Sequence, residues 1–379
     1  MDKSRDVVLK LLRFAMGWEE DYHLPNDIVW SEVLSIADEQ GVVAIALDGY
    51  EAYINKVSNE KQISFTPKDK VLILESIGRM QLVEHNYYQH KEALLKLSDI
   101  LHRKAIPFMV MKGFACGQYY PIPKHRECGD IDIYPGEKFN ESNQALKEAG
   151  VPIDDHYYRH TVSYLDGIML ENHRVLADLR GPKKQTRELE TWLELLANES
   201  MEKEKQKQVN IGDIEMVKVS FPNASYNAIF LPWHVSAHFC FERVTLRHLL
   251  DWSLFLTHDG KSIDMDLLHE AKNRFTYGYS KMVDILTNLS LRYLCMPKGD
   301  IPLDILRDAE SFDDKLADKV FEYMFIGQPR ERDKNVWKFR LNNVKRIWKE
   351  RWKYKEVYGI SMMSFLIHKI KGVLFKEGE

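Results

Sequence analysis

Two short runs decide the fold: Ile106-Pro107-Phe108-Met109-Val110-Met111-Lys112-Gly113, and, after a turn-rich loop, Gly129-Asp130-Ile131-Asp132-Ile133-Tyr134. The first is almost wholly apolar and is stopped by Lys112-Gly113, which fits a buried strand followed by a helical stretch over residues 114–120. The loop Tyr120-Pro-Ile-Pro-Lys-His-Arg126 leads to the second run. That run alternates acidic and apolar residues with period two, so a strand would project Asp130 and Asp132 from one face and Ile131 and Ile133 from the other. No cation stands between the two acids in the sequence to relieve their repulsion.

Further along, residues 140–149 form a helix candidate with Gly150 placed to stop it. Residues 157–165 and 168–176 read as a hairpin turning at Asp166-Gly167. These pieces make a small α+β unit. Upstream, apolar residues recur at three- and four-residue intervals from Val7 and again over residues 28–54, and Thr66-Pro67 opens a long amphipathic segment that runs to about residue 103. Downstream come a charge-rich helix over 183–207, a strand or hairpin over 209–219 turning at Gly212-Asp213, and helices over 224–240, 246–256, 265–275, 280–294 and about 313–326. The expected architecture is α+β, a small mixed-sheet core embedded between helical regions. The expected divisions are 1–104, 105–220, 221–328 and 329–379.

The chain has 379 residues, 45% of them hydrophobic and 29% charged, with a formal net charge of −4. This composition excludes a peptide, a collagen, a mostly disordered chain and a strongly basic nucleic-acid coat. Cys116, Cys128, Cys240 and Cys295 are scattered without a Cys-x-x-Cys pair, so neither a disulfide framework nor a thiolate zinc site is signalled. No apolar run reaches the roughly 20 residues of a membrane-spanning helix, and Lys10 and Arg13 interrupt the N-terminal apolar stretch, unlike a signal-peptide core. A cytoplasmic location is expected. Charge is unevenly spread: residues 329–379 hold 14 Lys plus Arg against 6 Asp plus Glu, a net +8 that leaves −12 for the remainder. Trp337, Phe339, Trp348, Trp352 and Tyr354 are interleaved with the cations of this tail. It reads as a terminal helix packing a Trp stripe on the acidic body with its cations outside, or as a peripheral membrane contact continued by the apolar 365–375, or as an RNA-binding stretch.

Two carboxylates side by side on a strand suit a hard divalent cation such as Mg²⁺, which takes oxygen ligands and keeps waters and substrate phosphates. A paired-metal site extends this: one ion binds a triphosphate, the other activates an attacking hydroxyl. The alternative is a solvated strand end.

The order of apolar strand, Lys112-Gly113, short helix, Tyr120-Pro121-x-Pro123, Arg126 and Asp130-x-Asp132 resembles the uncharacterised nucleotidyltransferase family of bacteria, a branch of the DNA polymerase β-like superfamily. The motifs that carry the resemblance span about residues 108–174. The resemblance implies a third carboxylate on a later strand, two residues before a His. Leu170-Glu171-Asn172-His173 fits, with Glu171 as third metal ligand or general base and Asp178 as its rival. Lys112-Gly113 stands where the wider superfamily carries Gly-Ser. A Gly before a helix lets backbone N–H groups approach phosphate oxygens, and a Lys adds a compact positive charge. Arg126 either holds a triphosphate oxygen or anchors the loop and neutralises Asp130.

His234 and His238 lie four apart on an expected helix, a spacing that can bind zinc, with no Glu beside them and no third ligand evident. Asp251 is expected to pair with Arg247 or a helix neighbour, and His173 to orient Glu171. The activity implied is Mg²⁺-dependent transfer of a nucleoside monophosphate from a nucleoside triphosphate to a hydroxyl of a small molecule, glycan precursor, protein or RNA. The alternative from another class is a non-catalytic nucleotide-binding or adaptor protein that retains the fold.

Overall fold

The acid–apolar alternation at residues 130–134 becomes a strand, and the rest of the core assembles around it. The computed structural model describes residues 2–19, 21–57, 67–177, 183–202, 208–210, 216–241, 243–326, 345, 348–359, 361 and 363. Helices α1 (Lys3–Met16), α2 (Trp30–Glu39), α3 (Val43–Val57) and the long α4 (Pro67–His102) precede the sheet. The cap expected at Thr66 lies outside the described residues. Strand β1 (Met109–Met111) leads into the short α5 (Lys112–Gly117). Then come β2 (Asp130–Tyr134), α6 (Phe139–Glu148), β3 (Ile153–Asp154), β4 (His160–Leu165), β5 (Ile168–His173) and α7 (Lys183–Ser200). Strands β6 (Gln208–Asn210) and β7 (Met216–Lys218) pair with each other. The turn expected at Gly212-Asp213 lies outside the described residues. Helices α8 (Ala224–Phe241), α9 (Leu246–Asp259), α10 (Met265–Arg274), α11 (Ser280–Tyr293), α12 (Leu303–Glu310) and α13 (Asp314–Met324) follow. The α12 helix adds to the expected set, because eight residues are too few for the helical period to stand out in the sequence.

The five-stranded sheet has the order β1-β2-β5-β4-β3, with β2 and β5 parallel and the other neighbours antiparallel. One face, carrying Val110, Ile131, Ile133, Leu165, Ile168 and Leu170, packs on Leu94, Leu97 and Leu101 of α4 and Leu146 of α6. Burial of each such side chain contributes about 1.5–3 kcal/mol. Met109 and Met111 face the other way and join a second core with α1–α3, α8, α9 and α11.

The wall opposite the sheet is α8, and it tolerates Pro232 in its interior. Proline cannot donate to the carbonyl four residues earlier. That carbonyl, on Ala228, instead accepts a hydrogen bond of 3.2 Å from the Tyr279 hydroxyl.

Part of the C-terminal stretch is seated on the body: Tyr354, Val357 and Tyr358 are buried. Gly278, at φ +67°, makes room for them, since a Cβ there would meet the Tyr358 ring at 2.5 Å. Lys353 corrects the expectation that the tail's cations stay outside. It is 1% exposed, donates to the Phe239 carbonyl at 3.1 Å, and lies 3.5 Å from the centre of the Tyr323 ring. Trp337, Phe339 and residues 365–375 lie outside the described residues. No described helix is long and apolar enough to cross a membrane.

His125, in the loop before β2, clasps two N-terminal helices. Its Nδ1 lies 2.7 Å from Asp48 of α3 and its Nε2 2.7 Å from Glu84 of α4. Burial opposes protonation of this ring, but the hydrogen bonds to Asp48 and Glu84 outweigh it and raise the pKa above the ordinary histidine value. A raised folded-state pKa contributes stability that is complete below the unfolded value and is lost as pH rises through the folded one. His125→Asn should therefore lower stability by about 2 kcal/mol at a pH of about 6, and by less at a pH of about 9, in paired thermal melts. A deficit that does not shrink with rising pH would contradict a protonated clasp.

Candidate active site

Strand register gathers the polar residues. Across the parallel β2–β5 pair, Asp130 faces Met169 and Asp132 faces Glu171. Across the antiparallel β1–β2 pair, Met111 faces Asp132. Paired residues share a sheet face, so Asp130, Asp132, Glu171 and His173 project together, away from the core of Ile131, Ile133 and Leu170. One oxygen from each of Asp130, Asp132 and Glu171 lies within 4.8 Å of the others.

The expectation that no cation relieves these acids is corrected by the fold. Lys112 follows β1 directly, and its ammonium donates to Asp132 Oδ1 at 2.6 Å. Its backbone has φ 49°, in the left-handed region, which costs a β-carbon-bearing residue about 1–2 kcal/mol. On the other side, His173 Nε2 lies 2.8 Å from the same oxygen and 3.2 Å from Glu171 Oε2. His173 thus bridges the two carboxylates.

These contacts split the three acids electrostatically. Asp132 is only 2% exposed, which on its own would favour its neutral form. Lys112 and the His173 hydrogen bond overcome that and hold it well below the usual carboxylate range. Burial of Glu171 is likewise outweighed, chiefly by the His173 hydrogen bond, and its pKa is lowered. Burial dominates at Asp130, which has no such donor among the described residues, and with the neighbouring Asp132 charge raises it to about 6.

Gly113 sits against the returning loop. A Cβ would meet Cys128 Sγ at 2.6 Å and Arg126 Nη1 at 3.3 Å, so a side chain here would displace the segment leading into β2. Arg126 grips Asp251 of α9 with both arms of its fork: Nε to Oδ1 at 3.0 Å and Nη2 to Oδ2 at 2.7 Å. The remaining Nη1 donates to the Glu127 carbonyl at 3.0 Å. Asp251 therefore pairs with a loop arginine rather than with Arg247, and Tyr120 adds its hydroxyl at 2.8 Å. Asp130 is neutralised by neither arm of Arg126.

Lys112, Gly113, Arg126, Asp130, Asp132 and Glu171, the residues assigned from the sequence to phosphate and metal, line one cavity of about 640 Å³. His234 and His238 line its far wall. Asp178 lies outside the described residues. Sequence reasoning missed His160, His248 and Arg159, which line the same cavity. The signal for His160 was present: counting outward from the Asp166-Gly167 turn sets it opposite His173, and the observed register does so. Nothing local marks His248.

The cleft thus brings together two carboxylates of β2, a third on the parallel β5 and a partly buried lysine beside them. The sequence profile of the uncharacterised nucleotidyltransferase family matches residues 26–277, and the chain belongs to that family. Its general role is accordingly nucleotidyl transfer, with a nucleotide as substrate. No curated protein and no solved structure shows a significant match.

The Arg126–Asp251 pair is buried, so removing one partner strands a charge. Asp251→Ala should cost about 3–5 kcal/mol by chemical denaturation. Arg126→Lys, which keeps the charge but not the fork, should cost less. A negligible loss in Arg126→Lys would show that charge alone holds the loop, and a loss equal to that of Asp251→Ala would show that the retained charge contributes nothing without the fork.

Proposed function

We propose that this protein is a metal-dependent nucleotidyltransferase that moves a nucleoside monophosphate from a nucleoside triphosphate to a hydroxyl acceptor and releases pyrophosphate. The observation that carries this reading is the approach of Asp130, Asp132 and Glu171 within 4.8 Å of one another in a cavity with basic walls. The donors are all carboxylate oxygens, which fits Mg²⁺ and other hard divalent ions. A cation already occupies the charge vacancy at the buried Asp132, in the form of the Lys112 ammonium.

In this reading Asp130 and Asp132 would hold the metal, two ions being the natural complement, with Glu171 as third ligand. Bound Mg²⁺ would supply charge stabilisation to the triphosphate and to the attacking oxygen. Lys112, relieved of Asp132, turns its ammonium to the phosphates, and the Gly113 backbone lies beside it. Arg126, fixed by Asp251, contributes positive potential at the same end. Glu171 takes the proton as the acceptor oxygen bonds to the α-phosphorus, while the bond to the pyrophosphate oxygen breaks. His173 holds Glu171 in place for that transfer.

A second depression, lined by Tyr157, Tyr164 and Met169, shares Glu171 and His160 with the main cavity. It supports an acceptor route that reaches Glu171 from the open face of β4 without crossing the nucleotide.

Calorimetric titration with ATP, GTP, CTP and UTP tests the site. At least one should bind in a Mg²⁺-dependent way, and Asp132→Asn should weaken that binding by more than about tenfold. Failure of all four, or indifference to the substitution, would sink the metal-site reading. Tight binding with no transfer of labelled nucleotide to any hydroxyl acceptor would favour a non-catalytic nucleotide-binding protein. Lys112→Met offers an independent check. It leaves the buried Asp132 without its ammonium and should lower the metal-free melting temperature, and saturating Mg²⁺ should restore most of the loss. No recovery with Mg²⁺ would count against a cation at these carboxylates.

A further inference from the structure

On the wall facing the carboxylates, α8 and α9 bring three histidines together. His234 and His238 lie one turn apart on α8, with ring centres 4.3 Å apart, and His248 of α9 completes the group at 5.4 Å from His238 and 6.5 Å from His234. One nitrogen from each lies within 4.8 Å of the others. We propose that His234, His238 and His248 form a second metal site, made only of imidazole nitrogens, for a borderline divalent cation of the zinc, cobalt or nickel type.

Two observations carry this assignment. First, the ligand set is complete for a three-histidine site with one open position. Tetrahedral zinc at about 2.0–2.1 Å from each nitrogen needs the nitrogens about 3.4 Å apart, a contraction within reach of small side-chain rotations. Second, two of the rings are held by neighbours. Phe230 stacks on His234 at 5.5 Å and 13°, and Thr245 Oγ1 lies 3.1 Å from His248 Nδ1. The Thr245 backbone N–H donates to the same Nδ1 at 3.2 Å, so Thr245 fixes the ring, and ligation through Nε2 would require the Nδ1-protonated tautomer with the threonine hydroxyl as its acceptor.

The chemistry separates the two sites. Imidazole nitrogens favour zinc and its transition-metal neighbours, whereas Mg²⁺ takes oxygen. The histidine site would leave one coordination position open toward the shared cavity, for water or a group of the bound acceptor. It does not rest on the carboxylates and stands whether or not they bind Mg²⁺.

Chelator-stripped full-length protein is titrated with Co²⁺ in the presence of excess Mg²⁺, which occupies any oxygen site. The intense visible absorption of four-coordinate cobalt reports the nitrogen site, and Zn²⁺ should bleach it. The expected result is one equivalent bound by the wild type and by Asp130→Asn. His234→Gln and His248→Gln should each weaken binding by on the order of 100-fold, with far-ultraviolet circular dichroism checking that each variant is folded. If one variant does not fold, the other decides, with His238→Gln as a third measurement. Absence of cobalt uptake by the wild type would overturn the assignment. So would uptake that survives the histidine substitutions, or uptake lost in Asp130→Asn.

Discussion

The site depends on strand register. Asp132 faces Met111 on one side and Glu171 on the other, and the carboxylates share a face only because both pairings are in phase. A slip of one residue would turn Asp132 into the core of Leu94, Leu97 and Leu146 and expose Ile131 and Ile133. The apolar face therefore fixes the position of the polar one. Leu170, between Glu171 and the core, does the same for β5.

Given that register, electrostatics determines the rest of the cavity. A carboxylate as buried as Asp132 persists as an anion only with partners, and Lys112 and His173 supply them. Lys112 reaches it from a left-handed backbone at the end of β1. Strain of this kind persists where the surroundings over-determine it. The loop into β2 is fixed at two points: His125 ties it to α3 and α4, and Arg126 ties it to α9. The helical regions on both sides of the sheet thus bear directly on the position of Asp130.

Much of this was legible in the sequence because it is periodic or local. The strand at β2, the hairpin at Asp166-Gly167, the long α4 and most of the C-terminal helices follow from two- and 3.6-residue patterns. The resemblance carried by Lys112-Gly113, Tyr120-Pro-x-Pro, Arg126 and Asp130-x-Asp132 pointed to the family that the chain belongs to. What escaped is long-range. Lys112 neutralises an acid twenty positions away, and Arg126 and Asp251 are 125 positions apart, so no local spacing announces either pair. His248 joins His234 and His238 only through the packing of α8 on α9. Lys353 looks like a surface cation in sequence and is buried because Phe239, Tyr323 and a backbone carbonyl receive it.

Crystals grown with Mn²⁺ and a non-hydrolysable nucleoside triphosphate test the central claim most directly, because manganese scatters anomalously and replaces Mg²⁺ at oxygen sites. The account predicts manganese at about 2.2 Å from oxygens of Asp130 and Asp132, with the triphosphate on the same ion and Lys112 turned from Asp132 toward phosphate. A nucleotide seated away from these carboxylates, with Lys112 still on Asp132 and no manganese there, would contradict it.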